Sequence, residues 1–142
     1  MREGIGIYRG KREDNGELLV SDCIMQFERY LHREGFSVQL WANGEGFVFV
    51  IPETVGEYIG SPDKNGTKIF EGDIGRYKQT DGAKRNGKPI ICTGKVIYNA
   101  ITASYAVESK DEAGVEYFDY FPIKDFEIIG NCIDNPELLQ NK

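Results

Sequence analysis

Asp63, Asn65, Glu71 and Asp73 crowd oxygen-bearing side chains into a short stretch, which raises the chemistry of a calcium or magnesium site. An EF-hand-type loop sets its ligands at alternating positions and closes on a bidentate glutamate. Here Gly66 follows Asn65 directly, and Lys64 and Lys68 place positive charge inside the would-be loop. The stretch therefore reads as turns, with Asp63 bonding its own backbone ahead and Gly66 taking a positive φ. Glu71-Gly72-Asp73 reads the same way, as a tight turn whose carboxylates satisfy exposed amides. Paired-carboxylate catalysis needs one acid held in an apolar pocket, and no such pocket is legible around these two. No metal and no cofactor are expected.

His32 is the one histidine and sits beside Arg33 and Glu34. It lacks a serine or cysteine partner in a recognisable elbow, so it reads as a surface residue rather than a base. No G-x-S-x-G, P-loop or H-E-x-x-H motif occurs. Gly4-Ile-Gly6 and Gly44-Glu-Gly46 do not extend into a dinucleotide fingerprint. The expectation is a protein that is not an enzyme, with an enzyme resting on Glu71, Asp73 and His32 as the least favoured reading.

Two groups of residues suit binding instead. Arg76, Lys78, Lys84, Arg85 and Lys88 form a local basic stretch that could meet phosphates, interrupted by Asp81-Gly82 and Asn86-Gly87. It reads first as a long exposed loop. A net charge of −6 argues against a dedicated duplex-DNA binder, which needs clustered cations to displace counterions. The second group is aromatic: Tyr105, Tyr117, Phe118, Tyr120 and Phe121 fall on neighbouring expected strands. Core packing and cross-strand pairing account for most such rings. Between Tyr117 and Phe121, however, both parities carry aromatics, so rings are expected on both faces of the sheet. Rings on a solvated face form a patch of the kind used for partners or self-association. Single-stranded nucleic acid could stack there, but Glu116 and Asp119 weaken that option.

The elements that must position these groups are short strands. Phe36, Val38 and Leu40 alternate with Ser37 and Gln39, Asn43-Gly44 is a hairpin turn, and Phe47–Ile51 returns as a buried strand ended by Pro52. Strands are also expected around Ile5–Tyr8, Leu18–Val20, Gly56–Gly60, Lys68–Phe70, Asp73–Tyr77, Ile90–Tyr98 with a bulge at Gly94, Ser104–Glu108, Val115–Tyr120 and Glu127–Ile129. Ile24, Phe27, Tyr30 and Leu31 recur at helical spacing, so residues 22–34 are expected to form a short helix. Asn135 as cap, Pro136 at the first position and Glu137 at the positive end predict a C-terminal helical turn over 135–140. Many short strands with regular turns indicate a mainly β fold of barrel or sandwich type.

A length of 142 residues suits one domain with a sizeable core, and 40% hydrophobic against 28% charged residues is a globular composition. The longest apolar run, Phe47–Ile51, is far short of the roughly 20 residues that span a bilayer. The N-terminus shows no apolar core or cleavage site, so no signal peptide is expected. Cys23, Cys92 and Cys132 match no disulfide framework or metal spacing and read as buried free thiols in a cytoplasmic protein.

Three pieces together carry a family resemblance: Thr54–Gly60, Asp63–Ile74, and Phe126–Asn131 with Asp134–Leu139. In order and spacing, from about Glu17 onward, the chain resembles the YopX family of phage and prophage proteins. The resemblance implies an SH3-like β-barrel core with hairpin extensions, and it carries over no activity or catalytic residue. The expected organisation is a single domain over 1–142: an N-terminal extension over about 1–35, a barrel core over about 36–134, and the helical turn at 135–140. The expected role is a protein-binding or homo-oligomerising phage accessory module in the host cytoplasm, using Tyr105, Tyr117, Phe118 and Tyr120. The alternative is a nucleic-acid-associated phage protein using Arg76 to Lys88 and the aromatics.

Overall fold

The computed structural model describes residues 6–28, 36–79 and 84–139. The fold is mainly β with a curled half-barrel sheet, and among the described residues the helical content is confined to two short 310 turns. The described chain groups into two compact units, residues 1–60 and 61–142.

In the first unit, β1 (Tyr8–Lys11) pairs antiparallel with β2 (Leu18–Ser21) through the Asn15-Gly16 turn. β3 (Ile24–Glu28), β4 (Phe36–Ala42) and β5 (Gly46–Val50) form a second antiparallel sheet in that order. A 310 turn over Pro52–Thr54 follows, and β6 (Gly56–Pro62) lies beside β1 and runs across the division between the units. Thr54 locks the turn: its Oγ1 donates to the Ile51 carbonyl at 2.6 Å and accepts the Lys11 amide at 2.8 Å. Val38, Leu40 and Val50 are the buried centre, with Tyr8, Leu19, Ile24 and Val55 packed against them.

The helix expected over 22–34 is not formed where the chain is described, because residues 24–28 are strand β3. Their register on β4, Ile24↔Leu40 through Glu28↔Phe36, fills a ladder whose inner residues Val38 and Leu40 are already buried. An isolated helix of that length is marginal, so the available sheet edge wins. Ser21 Oγ accepts the Cys23 amide at 3.1 Å in the turn between β2 and β3. Tyr30, Leu31 and His32 lie outside the described residues.

The second unit begins with β7 (Lys68–Phe70) and β8 (Asp73–Lys78). Two-residue strands β9 (Lys84–Arg85) and β10 (Lys88–Pro89) form a small hairpin. β11 (Ile91–Asn99), β12 (Ser104–Asp111), β13 (Glu116–Tyr120) and β14 (Glu127–Asn131) then complete a five-stranded antiparallel sheet in the order β13-β12-β11-β8-β14. A 310 turn over Pro136–Leu139 closes the described chain, as the Asn-Pro-Glu signal predicts. The Asn135 carbonyl accepts the Leu138 amide at 3.1 Å, while its side-chain Oδ1 turns back to accept the Asn131 amide at 3.2 Å.

Period-2 alternation assigns the two faces of this sheet. Asp73, Tyr77, Cys92, Val96, Val107 and Ser109 point inward and are buried. Phe126, fully buried, lies flat on Gly75, where a Cβ would sit 1.9 Å from its ring. Gly94 is not a bulge: it pairs in regular register with Gly75 and Ser109, and the register shift falls between Ile128 and Gly130. Among the cysteines, Cys92 is buried and Cys132 half-buried, but Cys23 is exposed and departs from the expectation of a buried thiol.

Candidate functional site

The acidic cluster near residues 63–73 is held by backbone amides. Asp63 Oδ1 accepts from Asn65 and Thr67, each at 2.9 Å, and Oδ2 accepts the Ile128 amide at 3.1 Å. Burial opposes its ionisation, but these three donors outweigh burial and keep the carboxyl below its ordinary value. Asp73 is buried and accepts the Phe70 amide at 2.8 Å across the Glu71-Gly72 turn. Both carboxylates thus do the turn work expected of them.

Behind β12 and β13 lies a polar cluster that the one-dimensional pattern did not reveal. The Tyr77 hydroxyl lies 2.7 Å from Ser109 Oγ and donates to Asp119 Oδ2 at 2.6 Å, and Gln79 Nε2 donates to the same carboxylate oxygen at 3.1 Å. Burial first, and then the carboxylate, push the Tyr77 hydroxyl well above the tyrosine range. Burial likewise pushes the Cys92 thiol up, away from a reactive thiolate. The cluster is a satisfied internal network joining β8, β12 and β13.

A second network binds the loop between β12 and β13. Asp111 accepts the amides of Ala113 at 2.8 Å and Val115 at 3.0 Å and the Tyr117 hydroxyl at 2.9 Å, and Arg85 Nη1 approaches to 2.8 Å. Burial raises its pKa, but the amides, the guanidinium and the hydroxyl outweigh that and hold it below the ordinary value. The hydrogen bond to Asp111, with burial second, raises the Tyr117 hydroxyl in turn.

These contacts divide both predicted binding groups. Of the aromatics, Tyr117 is half-buried on the inner face and tied to Asp111, and Tyr105 packs edge-to-face on Tyr98 at 5.2 Å. Phe118 and Tyr120 stand on the outer face, 43% and 45% exposed, with ring centroids 5.2 Å apart at 78°. Of the cations, Arg76 and Lys78 belong to β8 and project from its outer face, flanking buried Tyr77. The expected continuous basic loop is therefore absent at its two described ends. Lys84 and Lys88 are exposed on the small hairpin, whose turn takes positive φ at Asn86 and Gly87, and Arg85 is engaged by Asp111.

The outer face carries a charge pattern that emerges only from register. One cross-strand row reads Glu127, Arg76, Thr93, Lys110, Glu116, and the next reads Gly130, Ile74, Lys95, Glu108, Phe118. A shallow groove of about 1230 Å³ runs over these rows, bounded by Phe118 and by Leu138 and Leu139 of the C-terminal turn. Its lining holds Arg76, Lys95 and Lys110 against Glu108, Asp111, Glu112 and Glu116, a mixed field rather than a cationic one. Lys95, Lys110 and Glu108 were missed because nothing in the linear order joins them to Arg76. The alternation of β11 and β12 held the signal, once paired.

Among the described residues, no three His, Cys, Asp or Glu side chains converge as a metal site, and no helix is long and apolar enough to cross a membrane. The fold and surface define a mainly β protein with two compact units and an open, mixed-charge sheet face edged by aromatic rings. The chain belongs to the YopX family, whose model, described as YopX protein, matches residues 8–140. No curated protein matches the chain. Among solved structures it is similar to the crystal structure of protein EF1440 from Enterococcus faecalis, at 18% identity over 94% of this chain and 97% of that one. The TM-score of that likeness is 0.43, too low to transfer a site or a function.

Proposed function

We propose that this chain is a non-catalytic protein-interaction module of phage or prophage origin, working in the bacterial cytoplasm and binding protein through the outer side of its β13 region. The single observation that carries the reading is the solvent-exposed Phe118–Tyr120 pair at the rim of the mixed-charge face. Edge-to-face rings at a rim of balanced charge are the composition of a protein interface core with a polar border. The balance of cations and carboxylates in the groove disfavours a polyanion there. The internal use of Asp63, Asp73, Asp111, Asp119 and Tyr77 supports a scaffold rather than a reaction centre.

The test compares the wild type with Phe118→Ser/Tyr120→Ser. Bacterial lysate, with and without nuclease treatment, is passed over each, retained proteins are quantified by mass spectrometry, and the mass of each purified chain is measured by light scattering. The wild type is expected to retain protein or self-associate, and the double variant to lose both. Retention that vanishes with nuclease, or equal behaviour of the two chains, would remove the reading.

A further inference from the structure

We infer that β13 is a self-complementary sheet edge through which two copies of this chain join, antiparallel and centred on Phe118. This rests on the protein-interaction reading above and names the partner as a second copy.

The two edges of the five-stranded sheet differ. At β14, backbone groups are already taken by side chains: the Ile128 amide by Asp63 and the Asn131 amide by Asn135. At β13, no other strand pairs among the described residues. The phase of its ladder is set by two bonds, Phe121 N–H to the Tyr105 carbonyl at 3.1 Å and Asp111 N–H to the Val115 carbonyl at 3.0 Å. Antiparallel partners alternate between bonded and non-bonded pairs. With the register Ser109↔Tyr117 and Val107↔Asp119, the backbone groups of Tyr117 and Asp119 face β12. Those of Glu116, Phe118 and Tyr120 therefore face away from the sheet. The residues whose rings are exposed are the residues whose amides and carbonyls point outward.

Such an edge is a template for another strand. The side chains suit its own copy in the register that pairs the whole strand, Glu116 to Tyr120. Centring the two-fold on Phe118 places Phe118 against Phe118 and Glu116 against Tyr120 on the outer face. On the inner face it sets Tyr117 against Asp119. No carboxylate then opposes a carboxylate, although the strand carries two in five residues. Moving the centre to Asp119 would set two aspartates directly opposite, which is unfavourable. In the Phe118 register the outward groups of three residues on each copy meet as bonded pairs. The contact is isologous and closes on itself, giving a dimer with a continuous sheet across the junction.

The experiment uses the full chain as wild type, Phe118→Ala and Phe118→Pro. Both variants remove the ring, but only proline removes the outward N–H. Because that N–H faces away from β12, proline at an edge takes no bond from the sheet itself. Sedimentation velocity over a concentration series measures dimerisation, and residue-resolved amide exchange is followed on the wild type. The wild type is expected to dimerise, with Phe118→Pro raising the dissociation constant at least about tenfold beyond Phe118→Ala, since each lost hydrogen bond weakens association. The Phe118 and Tyr120 amides are expected to become protected as concentration rises, while Asp119 is protected throughout. A wild type that stays monomeric at millimolar concentration overturns this inference and leaves the lysate comparison to decide the broader reading. A dimer in which Phe118→Pro equals Phe118→Ala, or in which Phe118 and Tyr120 stay unprotected, overturns the edge and leaves a face-mediated contact. The exchange pattern decides even if Phe118→Pro does not fold.

Discussion

Replacing Gly75 with alanine should destabilise the second unit by driving a methyl into the Phe126 ring. The added Cβ would lie 1.9 Å from Phe126 Cζ and 2.4 Å from each Cε. Carbon contacts prefer ~3.5–4.0 Å, so the overlap is at least about 1.6 Å. The ring has no easy retreat: Phe126 is 0% exposed, with Phe121 5.3 Å and Tyr77 6.0 Å from it, centroid to centroid. Overpacking of a tight core costs ~1–3 kcal/mol, and the full clash puts Gly75→Ala at the upper end, about 3 kcal/mol. An upper bound is loss of the ring itself, ~3–5 kcal/mol for Phe→Ala. For a unit of this size, ~4–8 °C per kcal/mol converts this to a fall in Tm of roughly 12–24 °C. Calorimetry, with denaturant unfolding followed by circular dichroism, measures it. Phe126→Leu should relieve part of the strain, so that the double variant is more stable than the sum of the singles by ~1 kcal/mol or more. A Gly75→Ala protein within ~0.5 kcal/mol of wild type, or strict additivity with Phe126→Leu, would refute the packing argument.

Two more predictions concern the buried polar groups. Asp63 and Asp111 have carboxyl pKa values held below the ordinary one, so their contribution is complete above ~3.9 and is lost as pH falls through the lower folded values. Asp111→Asn should lower stability at neutral pH and flatten the acid limb of a Tm-against-pH curve; an unchanged acid limb would count against the network. Tyr77→Phe should destabilise by ~1–3 kcal/mol, because Ser109 and Asp119 lose their shared buried partner. The same variant should leave unchanged the phenolate absorbance that develops near pH ~10, since the Tyr77 hydroxyl titrates above that range. A loss of early-titrating amplitude would show that the hydroxyl is not buried as described.

Local chemistry carried much of the fold into the sequence. The Asn43-Gly44 hairpin, the Asp63–Gly66 turn, the Glu71-Gly72 turn and the C-terminal turn after Asn135 are each set by a few adjacent residues. The strands on either side follow from period-2 alternation. These features depend on φ preferences and on hydrogen bonds within a handful of residues, which linear order displays.

What linear order could not display is pairing over distance. Residues 24–28 hold a helical spacing, yet they are strand because β4 offers Val38 and Leu40 with an open ladder beside them. Arg76 and Lys78 were grouped with Lys84 to Lys88 by proximity in sequence, whereas the sheet sets Arg76 in a row with Lys110 and Glu116. The aromatic strand was legible as two-faced from its parity alone. Which parity faced solvent was decided by Tyr77, Ser109 and Asp111, which draw Asp119 and Tyr117 inward and leave Phe118 and Tyr120 outside. Sequence determines the period and the turns because those energies are local. Register and the solvent-facing side belong to the tertiary structure, because burying one polar network and one phenylalanine chooses among pairings that local preference leaves equal.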